Sequence, residues 1–199
     1  MDRVTIAPVV EGHGEVAALP VLLRRIAGEL GVYNLEISPP LRVSRSVLAA
    51  EAGITKVVQQ AAFRVSGLGG VLVLFDADDD CPKELVNRLL TPARNARQDK
   101  KVSLVVAHKE FEAWFLAAAS SLAGKCGLPG DFAWAGDPEG KRDAKGWISY
   151  HTRLGSGFPY KEVVDQPKLA AEFDMQAARA KSPSFDKFWR ETEGLIKGA

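Results

Sequence analysis

The chain has 199 residues, 46% of them apolar and 26% charged, a globular balance that excludes a disordered chain. Its 26 basic and 25 acidic residues leave a net charge of +1, so bulk charge points to no polyanionic partner, and no apolar run approaches the ~20 residues of a membrane helix. Cys81 and Cys126 are too few for a disulfide scaffold or a zinc site, and the Met-Asp-Arg start resembles no secretory signal, so the expectation is a cytoplasmic protein with no membrane partner.

Val4–Val10 is a β-rich apolar run stopped by Glu11-Gly12-His13-Gly14-Glu15, a predicted strand. Glu15–Leu30 carries Val16, Leu19, Leu22, Leu23, Ile26 and Leu30 at helical spacing and ends before Gly31. Leu35–Val43 predicts a second strand, interrupted by Pro39-Pro40 as an edge or bulged strand would be. Ser46–Val65 predicts one helix, broken by the glycine-rich stretch 66–70. Val71–Phe75 is continuously apolar, the mark of a strand buried on both faces, and runs into Asp76-Ala77-Asp78-Asp79-Asp80. Lys83–Ala96 predicts a helix entered through Pro82, with Pro92 expected to bend it or end it early. Val102–Ala107 predicts another buried strand and Glu110–Leu122 an apolar helix. From about Ala123 to Pro159 the pattern lapses into glycine-rich, charged sequence. Two helices are predicted to close the chain. One is Pro167–Ala180; the other is capped by Ser182, starts at Pro183 and carries a stripe of Phe185, Phe188, Trp189, Leu195 and Ile196.

Strands alternating with helices predict an α/β fold, a parallel sheet covered on both faces. Residues 1–122 would form this core, with 123–199 as a loop-rich segment and C-terminal helices packed on it. In such a sheet every strand presents its C-terminal end to one edge, where ligands bind. Three predicted strands end there in carboxylates: Glu11 and Glu15, then Asp76, Asp78, Asp79 and Asp80, then Glu110 and Glu112. Eight acids on one rim repel one another, and their hard oxygens suit Mg²⁺ or Mn²⁺. Taken singly, each has a plainer explanation as a first-turn helix acid or a solvated turn; the repetition at three strand ends is what points to a site. Without those eight, 17 acidic residues face 26 basic ones. Arg94, Arg97, Lys100 and Lys101 gather in one segment and are candidate contacts to DNA or RNA, the alternative being a solvated basic helix.

Three other motifs compete. Gly12-His13-Gly14-Glu15-Val16-Ala17 has dinucleotide-binding spacing, but Glu11 and Glu15 would face the pyrophosphate and the second strand ends without the acid that binds ribose. An EF-hand loop from Asp76 fails because Cys81 stands where glycine is needed and Asn87 where glutamate is needed. A buried strand ending in Asp-x-Asp also resembles the haloacid-dehalogenase-type phosphatases, whose first Asp is phosphorylated; that leaves Glu11 without a role.

A strand ending in Glu-Gly-x-Gly-Glu, with a later strand ending in Asp-x-Asp, resembles the TOPRIM domain of topoisomerases, primases and OLD-type nucleases; the matching residues are Glu11, Glu15, Asp76 and Asp78. His108-Lys109-Glu110-Phe111-Glu112-Ala113-Trp114 extends the likeness, as do Tyr160-Lys161, Gln166-Pro167-Lys168-Leu169-Ala170 and Ser182-Pro183-Ser184-Phe185. Over nearly its whole length the chain resembles a bacterial group regarded as TOPRIM-like, domain-of-unknown-function family 4276. The resemblance implies a TOPRIM-like four-stranded parallel sheet and metal-dependent phosphoryl chemistry on nucleic acid. Glu11, Asp76 and Asp78 would hold Mg²⁺ (or Mn²⁺), with Glu110 and Glu112 completing or flanking a second site and Glu15 and Asp80 as further candidate ligands. Lys109 or Lys145 would offset charge on the phosphate. OLD-type nucleases work with an ATPase; this chain has no Walker A motif, so an ATPase partner would be a separate protein. The expected activity is that of a nuclease. The alternatives are a non-catalytic metal-bearing module that docks an ATPase or nucleic acid, and a small-molecule phosphatase using Asp76.

Overall fold

The computed structural model describes residues 3–198. Strand β1 (Val4–Val10) leads into helix α1 (His13–Glu29), followed by β2 (Leu35–Ile37), β3 (Leu41–Arg42), α2 (Arg45–Leu48) and α3 (Glu51–Ala62). Next come β4 (Leu68–Asp76), α4 (Pro82–Ala96), β5 (Lys101–Ala107) and the short α5 (Ala113–Ala117) with a 3₁₀ turn at Ala119–Leu122. Helices α6 (Ala144–Ser156), α7 (Glu162–Glu172), α8 (Met175–Lys181) and α9 (Pro183–Lys197) complete the chain. The sheet is entirely parallel, in the order β2–β1–β4–β5, with β3 also pairing with β1. This is the expected α/β architecture, and it is consistent with a TOPRIM-like fold. No helix among the described residues is long and apolar enough to cross a membrane.

The apolar runs of β1, β4 and β5 are buried because both faces of the sheet are covered, with side chains alternating between two cores. Ile6, Val10, Leu72, Leu74 and Val105 face one core with α1, α7 and α9, while Val9, Val71, Val73, Phe75 and Leu104 face the other with α3 and α4. On the first face Trp114 stacks on Phe188 at 5.1 Å between centroids and meets Phe185 edge-on at 5.2 Å, so the predicted α9 stripe closes over the sheet.

Several expected elements are corrected. The second strand is two pieces: Leu35 and Ile37 pair with Val4 and Ile6, whereas Leu41 and Arg42 pair with Val9 and Val10. Pro39 and Pro40 carry no N–H to donate between them, so the sheet has five strands in four positions. The single helix expected over Ser46–Val65 is α2 and α3, separated by extended Ala50 (φ −108°, ψ 134°). The fold-back sets Val47 against Gly53 so closely that any Cβ there would strike the Val47 carbonyl. Pro92 neither ends nor breaks α4, because the carbonyl that loses its donor belongs to exposed Arg88 and is open to water. Pro167 lies inside α7 rather than starting a helix, and Pro167–Ala180 divides at extended Phe173, where Asp174 caps α8 by accepting the N–H groups of Gln176 and Ala177. The stretch expected to lack pattern contains α6, whose N-cap Asp143 adopts a left-handed conformation (φ 56°) and accepts Gly146 N–H at 2.9 Å. The helix expected over Glu110–Leu122 is only α5 and the 3₁₀ turn.

Candidate functional site

Parallel pairing brings the ends of β1, β4 and β5 to one rim, where a cavity of about 280 Å³ opens. Glu11 and Glu15 line it from β1 and α1, Asp76 and Asp78 from β4, and Glu110 and Glu112 from the turn after β5. The C-terminal helices supply Lys145, Glu162 and Gln166 on the opposite wall.

Local hydrogen bonding decides how each acid is used. Glu15 is 3% exposed, and its Oε2 accepts the N–H groups of Glu11 (3.1 Å) and Gly12 (3.2 Å), closing the first turn of α1. Burial lifts its pKa to about 7 despite those bonds, with Glu112 and Glu11 adding repulsion. Asp76 Oδ1 accepts the Phe111 N–H at 2.9 Å, which ties the end of β4 to the turn after β5 and keeps that N–H out of a helix. Burial and the charges of Glu15, Glu112 and Glu11 hold the Asp76 carboxyl well above the usual aspartate range. Glu11 is raised too, by burial and by Asp78, and its Oε2 is buried with no hydrogen-bond partner among the described residues.

Glu112, 1% exposed, sits behind this front. Its Oε1 accepts Tyr160 Oη–H at 3.0 Å and Gln166 Nε2–H at 3.4 Å, and burial raises its pKa against the pull of Lys145. Glu110 Oε2 accepts the Lys145 N–H at 2.9 Å, at the start of α6. Lys145 Nζ bonds Glu162 Oε2 at 2.5 Å and lies 4.0 Å from Glu112 Oε1. Burial works against this ammonium, but Glu112 and Glu162 outweigh it and hold the pKa above the ordinary lysine value.

Other expected site residues fall elsewhere. Asp80 turns away from the cavity to pair with Arg45 Nη2 at 2.6 Å. Lys109 lines a neighbouring cavity with Asp78, Asp79, Glu110, Arg142 and Asp143. Asp78, Lys109 and Asp143 all have positive φ (51°, 62° and 56°), and the Asp78 N–H donates to the Lys109 carbonyl, so the lip is built from strained turns. Arg94, Arg97, Lys100 and Lys101 are not brought to the rim. β5 begins at Lys101 and reaches the rim only at Ala107, seven residues that span about 20 Å.

Arg45 is a site residue that sequence reasoning missed. Its guanidinium donates to the carbonyls of Asp76 (3.2 Å) and Ala77 (2.8 Å) and pairs with Asp78 at 3.0 Å, clamping the loop after β4. Glu162 and Gln166 were also missed as pocket residues. Gln166 is 3% exposed and its Oε1 has no partner among the described residues. No local signal marks Arg45 or Glu162, while Gln166 stands in a segment that carries the family likeness without being read as a site residue.

As they stand, no three acidic, histidine or cysteine side chains among the described residues close round one point as a ready-made metal cage. Mg²⁺ seldom needs one: it keeps several waters and binds through one or two carboxylates plus substrate phosphates. The unpartnered Glu11 oxygen and a cluster of carboxyls with raised pKa fit that role.

Residues 10–193 match the family described as domain of unknown function (DUF4276), and the chain belongs to that family. No curated protein and no solved structure matches the chain.

Proposed function

From a DUF4276 member with this acidic rim, we propose a Mg²⁺-dependent phosphodiester-cleaving protein that acts on nucleic acid in the cytoplasm, with a TOPRIM-like site and a separate ATPase as partner. The observation that carries the proposal is the meeting of carboxyls from three strand ends round one cavity, with a buried Glu11 oxygen left unpartnered. Glu11 and Asp76 would hold the ion, Asp78 would reach it from the lip, and water or phosphate oxygens would complete its shell. Bound there, Mg²⁺ would lower the pKa of an attacking water and stabilise the leaving oxygen.

The chain's own residues do the rest. Glu15 keeps the first turn of α1 closed, so that Glu11 stays at the rim. Glu112, held by Tyr160 and Gln166, sets the charge behind Asp76. Lys145 neutralises part of the acidic wall and, lining the cavity, would offset charge on a phosphate there; Lys109 stands at the lip.

Titration of the whole chain with Mn²⁺ tests the metal. Wild type should bind, and Glu11→Gln should weaken binding by about tenfold or more, because one of very few charged ligands is lost. Unchanged affinity in Glu11→Gln refutes the site. A labelled oligonucleotide should be cut in Mn²⁺; turnover of small phosphomonoesters with no cutting would instead assign Asp76 as a nucleophile.

A further inference from the structure

A second cavity, about 580 Å³, opens at the other edge of the sheet, where β5 begins. The end of α4, the first residues of β5 and one face of α9 form its walls. Arg94, Lys100 and Arg190 bring three cationic side chains to it, with Asn95 and Gln98 as neutral donors; Lys101 lines it as well but is already engaged. The acid that lines it, Glu191, is already bonded to Lys187 at 3.0 Å. Arg94 has its Nε on the Val102 carbonyl at 3.4 Å and forms no ion pair among the described residues, which leaves the outer edge of its guanidinium open. Arg190 bonds Asp186 through Nε, again leaving its terminal nitrogens. Val102 and Leu195 add apolar wall.

An anion entering the groove offsets the charges of Arg94 and Lys100, and a guanidinium fork matches phosphate oxygens two at a time. The size is that of a small-molecule pocket. The basic surface does not run on as a track for a duplex: Arg97 is forked onto Asp99 at 2.8 Å and lies over the Phe63 ring, outside the groove. We propose that this groove binds a compact polyphosphate group, supplied by a nucleoside triphosphate or by an inorganic polyphosphate. It is separate from the acidic pocket and requires no metal.

Calorimetric titration in EDTA at low salt tests this without involving the acidic site, using tripolyphosphate, ATP and a labelled oligonucleotide as probes. Tripolyphosphate should bind saturably. The double variant Arg94→Gln, Lys100→Gln should weaken it by about tenfold or more, while Arg97→Gln leaves it unchanged. All three side chains are on the surface, and an unchanged unfolding transition confirms that the variants fold. Tighter binding of ATP than of tripolyphosphate identifies a nucleotide as the source; equal binding identifies the phosphate chain alone. Absence of tripolyphosphate binding, binding insensitive to the double variant, or binding of the oligonucleotide alone overturns the proposal.

Discussion

Glu15→Gln should make the metal-free protein more stable at alkaline pH, although the residue closes a helix cap. In the folded protein burial raises the Glu15 pKa from 4.5 to about 7. Between those values the folded state keeps a proton that the unfolded chain has released. The stability tied to this group is therefore fully present below about pH 4.5 and is lost as pH rises through 7. At pH 8 the displacement amounts to about 3 kcal/mol, and at pH 5 to less than about 1 kcal/mol. Asp76 and Glu112, also raised by burial, act in the same direction. Glutamine keeps an oxygen to accept the Glu11 and Gly12 N–H groups while removing the charge. In EDTA at pH 8 the variant should gain up to about 3 kcal/mol, or roughly 6–12 °C in Tm for a chain of this size. Thermal and urea unfolding between pH 5 and 8.5 measures this directly. A variant less stable than wild type at pH 8, or a difference that does not change with pH, would refute the reasoning.

Two further changes probe the packing of α1 on α7 and the cap of α9. Gly14→Ala places a Cβ against Gln166 Oε1 and 2.8 Å from the Glu162 carbonyl, so α1 and α7 must separate; a loss of about 1–3 kcal/mol in urea unfolding is expected, with weaker Mn²⁺ binding. Ser182→Ala removes both the cap on Phe185 N–H (3.1 Å) and the hydroxyl bonded to buried Glu139, which should cost about 2 kcal/mol in the same assay.

The limits of β1, the end of β5, the buried middle of β4 and the capped, striped α9 are legible in the sequence because each rests on local physics: a continuous apolar run, a capping serine, a proline in the first turn. The grouping of Glu11, Glu15, Asp76, Asp78, Glu110 and Glu112 follows from one topological rule, since parallel strands deliver their ends to one edge. Short-range pattern failed where the backbone turned for a tertiary reason. Phe111 gives its N–H to Asp76 instead of a helix, and Gly53 lets α3 fold back on α2.

Tertiary structure alone decided what surrounds the acids. Arg45 clamps the β4 loop from 31 residues away and draws Asp80 off the cavity, while Lys145, Glu162 and Gln166 arrive from helices beyond the sheet. The basic segment shows the same division. Lys101 is only eight residues from Lys109 in the chain, yet β5 runs between them, and an extended strand advances about 3.3 Å per residue. The strand therefore carries neighbours in sequence to opposite edges of the sheet, and separates the cationic groove from the acidic rim.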